Sequence, residues 1–185
     1  MALTPTKQIS LDFIAPDFNL INPITSTSMS LSNLKSDMAT LIVFMCNHCP
    51  YVIHVLPQLI KIANEYMSKG VSFIAINSND IIRYPEDSPE NMIKFVQEYN
   101  IPFPYLFDES QDIARSYHAE CTPDFNIFNN EMRCVYRGQI DSSRPGNNKN
   151  NDGADIRKVL DQIINQETIS SAQTPSTGCS IKWKN

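Results

Sequence analysis

The sequence predicts an α/β fold: a mixed central β-sheet flanked by helices, with an N-terminal β extension and a docked C-terminal tail. Three observations carry that expectation. Thr40-Leu41-Ile42-Val43-Phe44-Met45 and Val71-Ser72-Phe73-Ile74-Ala75-Ile76-Asn77 are apolar runs of strand length, suited to strands buried on both faces. Apolar residues then recur at helical spacing, as Val52, Val55, Leu56, Leu59, Ile62 and Tyr66 in one segment and Ile156, Val159, Leu160, Ile163 and Ile164 in another. The only tryptophan, Trp183, sits in an otherwise polar ending, which suits a tail that packs down.

Each element follows in order. Residues 1–14 read as an N-terminal arm, 15–167 as the folded domain and 168–185 as a C-terminal tail. Within 15–37, Asn, Ser, Thr and Pro separate short apolar runs such as Phe18-Asn19-Leu20-Ile21, the pattern of short strands and turns. The strand over 40–45 runs into Cys46, and a helix follows from Pro50 to about Ser68. Pro50 suits the first turn, Pro57 predicts a kink and Gly70 a stop. After the strand over 71–77 come a polar loop over 78–88 and a helix over 89–99. Pro104-Tyr105-Leu106-Phe107 is a third buried strand, and Asp108 is a good cap for a short helix over 109–118. Phe125–Phe128 and Arg133–Arg137 form a hairpin across Asn129-Asn130. A polar loop over 141–151 precedes the last helix.

The 185 residues are 42% hydrophobic and 19% charged, enough for one domain with a full core. A net charge of −5 offers no basic surface for nucleic acid or anionic membrane. No run approaches the roughly 18–20 apolar residues of a spanning helix. Met1 to Ile14 lacks the apolar core of a signal peptide, so the expected location is cytoplasmic, without a membrane partner. Five cysteines, Cys46, Cys49, Cys121, Cys134 and Cys179, are odd in number and widely spread, unlike a secreted disulfide framework.

Cys46-Asn47-His48-Cys49 is the strongest chemical signal. It lies where a buried strand meets a helix, and the free N–H groups and positive dipole end of a helix stabilise a thiolate, the nucleophilic form of cysteine. Two intervening residues put the second thiol within disulfide range of the first, and His48 adds positive charge that makes the pair more oxidising. Half a zinc site, or two buried cysteines, is the blander alternative; the strand-then-helix context favours redox chemistry. Thr122-Pro123 precedes the hairpin, with Cys121 and His118 just before it. Cys134 reads as inert. Cys179 reads as part of a docked tail rather than a resolving thiol. The position of Cys46 at the mouth of the strand predicts partial exposure and faster alkylation than at Cys49.

These residues together resemble the thioredoxin superfamily, and within it the peroxiredoxin-like branch that includes alkyl hydroperoxide reductase and thiol-specific antioxidant proteins. Ala15-Pro16-Asp17-Phe18 resembles the entry of that branch, Cys46-Asn47-His48-Cys49-Pro50 the thioredoxin redox motif, and Tyr136-Arg137-Gly138-Gln139-Ile140-Asp141 a later part of the fold. Gly178-Cys179-Ser180-Ile181-Lys182-Trp183-Lys184 is similar to the ending of one subgroup. The resemblance implies a cis Pro123 facing Cys46, a Thr122 backbone offered to an extended substrate, and Cys49 in the place of the peroxidatic cysteine. The sequence departs from peroxiredoxins in having Ile42 and Cys46 where they carry Pro and Thr, and Arg137 is the nearest candidate by chain order for their activating arginine.

The resulting expectation is a thiol–disulfide oxidoreductase, an antioxidant protein, with Cys46 and Cys49 catalytic and His48, Thr122 and Pro123 at the substrate. Cys46 attacks and Cys49 resolves. The partners are protein or small-molecule disulfides and a cellular dithiol reductant, with no resident cofactor or metal. One alternative is a peroxidase with Cys49 as the peroxidatic thiol and peroxide as the substrate. Another is a soft-metal carrier, for copper, built from Cys46, Cys49 and Cys121 or His118.

Overall fold

The computed structural model describes residues 3–185. In chain order its elements are β1 (Leu3–Pro5), β2 (Asn19–Asn22), β3 (Thr27–Ser30), α1 (Leu31–Leu34), β4 (Ala39–Phe44), α2 (Pro50–Met67), β5 (Val71–Asn77), a 3₁₀ turn (Pro85–Asp87), α3 (Pro89–Tyr99), β6 (Tyr105–Phe107), α4 (Asp112–Ser116), β7 (Cys121–Thr122), β8 (Asp124–Asn129), β9 (Cys134–Gly138), α5 (Ala154–Ile164) and β10 (Thr177–Ser180).

Seven strands form one mixed sheet in the order β3-β2-β6-β5-β4-β8-β9. β4, β5 and β6 run parallel, while β2 and β8 attach antiparallel on either side. The unbroken apolar run of β4 has its physical reason here: all six residues are buried, because the strand has neighbours on both edges and packed layers on both faces. One layer holds Leu41 and Val43 against Val55, Leu56, Leu59 and Ile62 of α2 and Ile156 and Leu160 of α5. The other holds Ile42, Phe44, Ile74 and Ile76 against Leu31, Ala114, Tyr117 and Phe18. The predicted mixed sheet between helices is the observed one.

α2 starts at Pro50, where the missing N–H costs nothing, and runs through Pro57 to Met67. α4 is shorter than the sequence suggested. Gln111 takes a left-handed backbone and begins the helix at Asp112. Asp108 still serves this turn, accepting from the Ala114 amide at 2.9 Å. The hairpin turn is also longer than Asn129-Asn130, because the Asn129 carbonyl and side chain bind the Met132 and Arg133 amides and Met132 adopts positive φ.

Three further strands make a second sheet in the order β1-β10-β7. Here arm and tail meet: Leu3 to Pro5 pair with Cys179 to Thr177, and Cys179 and Ser180 pair with Thr122 and Cys121. Beyond β10 the ending is held as closely. Ile181 is buried and its amide binds the Glu120 carbonyl at 3.0 Å. The Lys182 amide donates to Asn79 Oδ1 and its carbonyl accepts the Asp80 amide, each at 2.8 Å, and Arg115 stacks its guanidinium over Trp183 at 4.4 Å. The docked tail expected from Trp183 is present. Burying one residue such as Ile181 stabilises by about 1.5–3 kcal/mol.

Candidate active site

β4 ends at Phe44, and the Met45 amide still reaches the Ile76 carbonyl at 3.0 Å. The chain then turns through Cys46-Asn47-His48, and Cys49 caps α2. This junction carries both cysteines of the motif to the end of the sheet and the start of a helix. Facing them is β7 and the Thr122-Pro123 peptide, which is cis, as the resemblance implied. Cys46 Sγ lies 3.4 Å from Thr122 Oγ1, and Cys49 Sγ lies 3.1 Å from the Thr122 carbonyl oxygen. The sequence-selected residues Cys46, Cys49, Thr122 and Pro123 therefore form one cluster.

Neither thiol is open to solvent. Cys46 is 1% and Cys49 0% exposed, which corrects the expectation of a partly exposed Cys46. The cover comes from segments distant in the chain: Asp87 of the 78–88 loop and β10 of the tail. The edge of Thr122 expected to receive an extended substrate is likewise occupied, by Cys179 of β10.

The charge distribution within the pair is uneven. Cys49 is pushed down to about 5, first by the hydrogen bond it accepts from Cys46, then by bonds from Cys179 and Thr122 and from the Val52 backbone, against an opposing effect of burial. Cys46 is held well above the ordinary thiol range, first because it gives its hydrogen bond to Cys49, then by burial, then by the negative charge of Asp87. Between the two sulfurs, negative charge is therefore favoured on Cys49, at the N-cap of α2, and opposed on Cys46.

Asp87 is the residue that sequence reasoning left inside a polar loop. It is fully buried. One oxygen accepts the Asn47 amide at 2.8 Å; the other accepts Asn79 Nδ2 at 2.7 Å and meets His48 Nδ1 at 2.8 Å. His48 stacks on Tyr84, rings parallel within 3°. The Asp87 contact raises the pKa of His48 above its usual value. One side-chain atom each of Cys46, His48 and Asp87 lies within 4.8 Å of the others, so the imidazole–carboxylate pair stands within reach of Cys46 through one bridging water. Asp87→Asn is expected to return the His48 titration to the ordinary imidazole range, read from the ring proton shifts by NMR. An unchanged His48 midpoint would show that the carboxylate does not control it.

The remaining candidates fall elsewhere. Cys121 is buried with its sulfur 3.7 Å from Thr6 Oγ1 and 3.8 Å from the Pro123 carbonyl, and burial raises its pKa. His118 is exposed. Neither completes a soft-metal set with Cys46 and Cys49. Cys134 donates to the Tyr136 carbonyl at 3.4 Å, as an inert buried thiol. Arg137 is committed to backbone carbonyls, Asn126 and Asp124, so it is not an activating arginine for Cys49. Cys179 lies in the docked tail, as read from sequence, and on β10 it is buried in the same core cluster as Cys46 and Cys49.

A buried sheet end, a Cys-x-x-Cys helix start and a facing cis-proline loop define a thioredoxin-like protein with a paired-thiol site. The chain belongs to the Redoxin family, whose profile matches residues 13–156. It is 27% identical over 92 residues to the thiol-disulfide oxidoreductase ResA of Halalkalibacterium halodurans; that match spans 50% of this chain and 48% of ResA, about half the length of that curated relative. Among solved structures, an uncharacterized conserved protein from Geobacillus kaustophilus is 52% identical with a TM-score of 0.98, covering 100% of this chain and 97% of that one. A hypothetical protein from Sinorhizobium meliloti 1021 is 40% identical with a TM-score of 0.95, covering 98% of each chain. The thioredoxin domain of a thiol-disulfide oxidoreductase from Bacteroides vulgatus shares the fold at 18% identity and a TM-score of 0.64, over 83% of this chain and 99% of that one.

Proposed function

We propose that this protein is a thiol–disulfide oxidoreductase whose redox pair is Cys46 and Cys49, with Cys49 supplying the attacking thiolate. The observation that carries the reading is the juxtaposition of the two cysteines where β4 meets α2, with Cys49 at the helix N-cap and both facing Thr122 and the cis Pro123; the surrounding charges favour the thiolate on Cys49. Attack by Cys49 on a substrate disulfide forms a mixed disulfide and releases one thiolate. Cys46 then passes its proton toward the His48–Asp87 pair, attacks Cys49 Sγ and releases the second thiol. A cellular dithiol reductant opens the resulting Cys46–Cys49 disulfide. The order of attack is the reverse of the sequence expectation, for an electrostatic reason: Asp87 opposes a charge on Cys46, while the helix start supports one on Cys49.

The substrates in this reading are protein or small-molecule disulfides, in a reducing cytoplasm. All five cysteines are free, as suits such a compartment, and no helix among the described residues is long and apolar enough to cross a membrane. An extended substrate gains the Thr122 edge only when β10 yields it. Peroxide reduction is less well supported, because Arg137 is turned to other partners.

Alkylation against pH tests the thiolate assignment. Mass-spectrometric mapping of iodoacetamide-treated protein is expected to show a midpoint near 5 for Cys49, with labelling continuing at pH 6 and fading as pH falls through that midpoint. Denatured protein should show the midpoint of about 8.5 typical of free cysteine. Preferential labelling of Cys46, with an ordinary midpoint at Cys49, would overturn the proposed order of attack.

A further inference from the structure

We propose that Cys179 is a third redox thiol of this site, taking over Cys49 from Cys46 to form a Cys49–Cys179 disulfide within the chain. This rests on the reading of Cys46 and Cys49 as a redox pair and extends it to the tail.

The argument is one of placement. Cys179 stands opposite Thr122 in the β10–β7 register, and Cys49 lies against the carbonyl of that same Thr122. The two cysteines therefore converge on one residue from distant parts of the chain, and Cys179 is buried in the same core cluster as Cys46 and Cys49. The approach depends on the residue before it. A Cβ on Gly178 would overlap the Thr122 carbonyl oxygen, so a side chain there would push β10 off the site. The strand is held from both sides, by β1 and by the Ile181 to Trp183 ending. Cys179 is only 3% exposed, so its side chain packs in the interior rather than in solvent. Of the three cysteines outside the motif, Cys121 and Cys134 have other partners; Cys179 meets the pair.

The exchange balances without an added reactant. Cys179 attacks Cys49 Sγ of the Cys46–Cys49 disulfide; a bond forms between sulfurs 179 and 49, and the bond between 46 and 49 breaks. Cys46 leaves as a thiolate and takes up the proton that Cys179 gives up. No electron leaves the protein. In the reduced state Cys179 is pushed up to about 12, first by burial and then by donating to Cys49 and facing its charge. Once Cys49 is bound in a disulfide, its charge is gone, and the favourable influence of Lys182 on a Cys179 thiolate remains.

The test is oxidation of the full chain with one equivalent of oxidised glutathione, followed by alkylation and mapping of non-reduced peptides. Cys46→Ser is expected to give the Cys49–Cys179 disulfide as its main product, by attack of Cys49 on glutathione disulfide and displacement of the second glutathione by Cys179. Cys46→Ser carrying Cys179→Ala should instead stop at Cys49 joined to glutathione. A Cys46→Ser protein that stops there with Cys179 free would overturn the proposal. Wild-type protein separates the two failures: a Cys46–Cys49 disulfide with no Cys49–Cys179 in Cys46→Ser rejects Cys179 alone, whereas neither disulfide rejects the redox pair itself. Cys179→Ala also has a readout independent of turnover. Without the Cys179 donor, the alkylation midpoint of Cys49 should rise, and an unmoved midpoint would contradict the contact.

Discussion

Cys49→Ser is expected to reduce disulfide-exchange turnover to the uncatalysed background, a loss on the order of 10³-fold or more, because a serine hydroxyl stays protonated where the thiolate did the attacking. The double variant Cys46→Ser/Cys49→Ser should be no slower than Cys49→Ser alone, since groups that act as one unit do not contribute additively. Cys46→Ser should keep the first half of the reaction and lose normal release. Its mixed disulfide should be captured most completely when Cys179 is also replaced. The measurement is turnover of a small disulfide, paired with intact mass of the trapped species. Full turnover in Cys49→Ser would remove the proposed attacker, and trapping on Cys46 would restore the order first expected from sequence. A Cys49→Ser protein that still consumed peroxide would exclude Cys49 as a peroxidatic thiol.

How much of this was legible in sequence depended on distance along the chain. The central strands announced themselves as apolar runs, because burial on both faces leaves no room for alternation. The Cys46–Cys49 pair was legible because its setting is local: a buried strand, a short connection holding both cysteines, and a helix opening on Pro50. The facing Thr122-Pro123 loop came from resemblance rather than from any local pattern. Asp87 was not legible, since it reads as one acid in a polar loop; what makes it matter is a bond to Asn47 across 40 residues and complete burial. Cys179 was harder still. Its place depends on a β10 register set jointly by β1 at one end of the chain and β7 far upstream, and no periodicity within the tail encodes that. The mistaken expectation of an exposed Cys46 has the same origin: the local argument stopped at the strand mouth, while the cover arrived from elsewhere.

Arg137→Met is expected to cost about 3–5 kcal/mol of stability at neutral pH, the range for breaking a buried ion pair by removing one partner. Arg137 is 2% exposed, and its guanidinium is spent on structure. Nε donates to the Lys7 carbonyl at 3.0 Å, one terminal nitrogen to the Tyr117 carbonyl at 2.9 Å and Asn126 Oδ1 at 2.6 Å, and the other to the His118 carbonyl at 2.7 Å and Asp124 Oδ2 at 3.4 Å. One side chain thus ties the N-terminal arm and the end of α4 to β8, directly behind Pro123. For a chain of this size the apparent Tm should fall by roughly 6–20 °C. The pH dependence identifies the cause. Burial pushes Asp124 up to about 6, partly offset by the charge of Arg137. With its folded pKa above the unfolded value, the folded state holds the extra proton, so this group's contribution is most favourable at low pH and is lost as pH rises through the folded pKa. Removing Arg137 raises that folded pKa further and extends the loss to higher pH. The stability gap between wild type and Arg137→Met, from urea unfolding, should therefore be widest near pH 8 and narrow toward pH 5. Asp124→Asn in the Arg137→Met background should recover part of the loss at pH 8. A gap that stayed constant with pH would show that the lost carbonyl bonds, rather than the stranded carboxylate, set the cost.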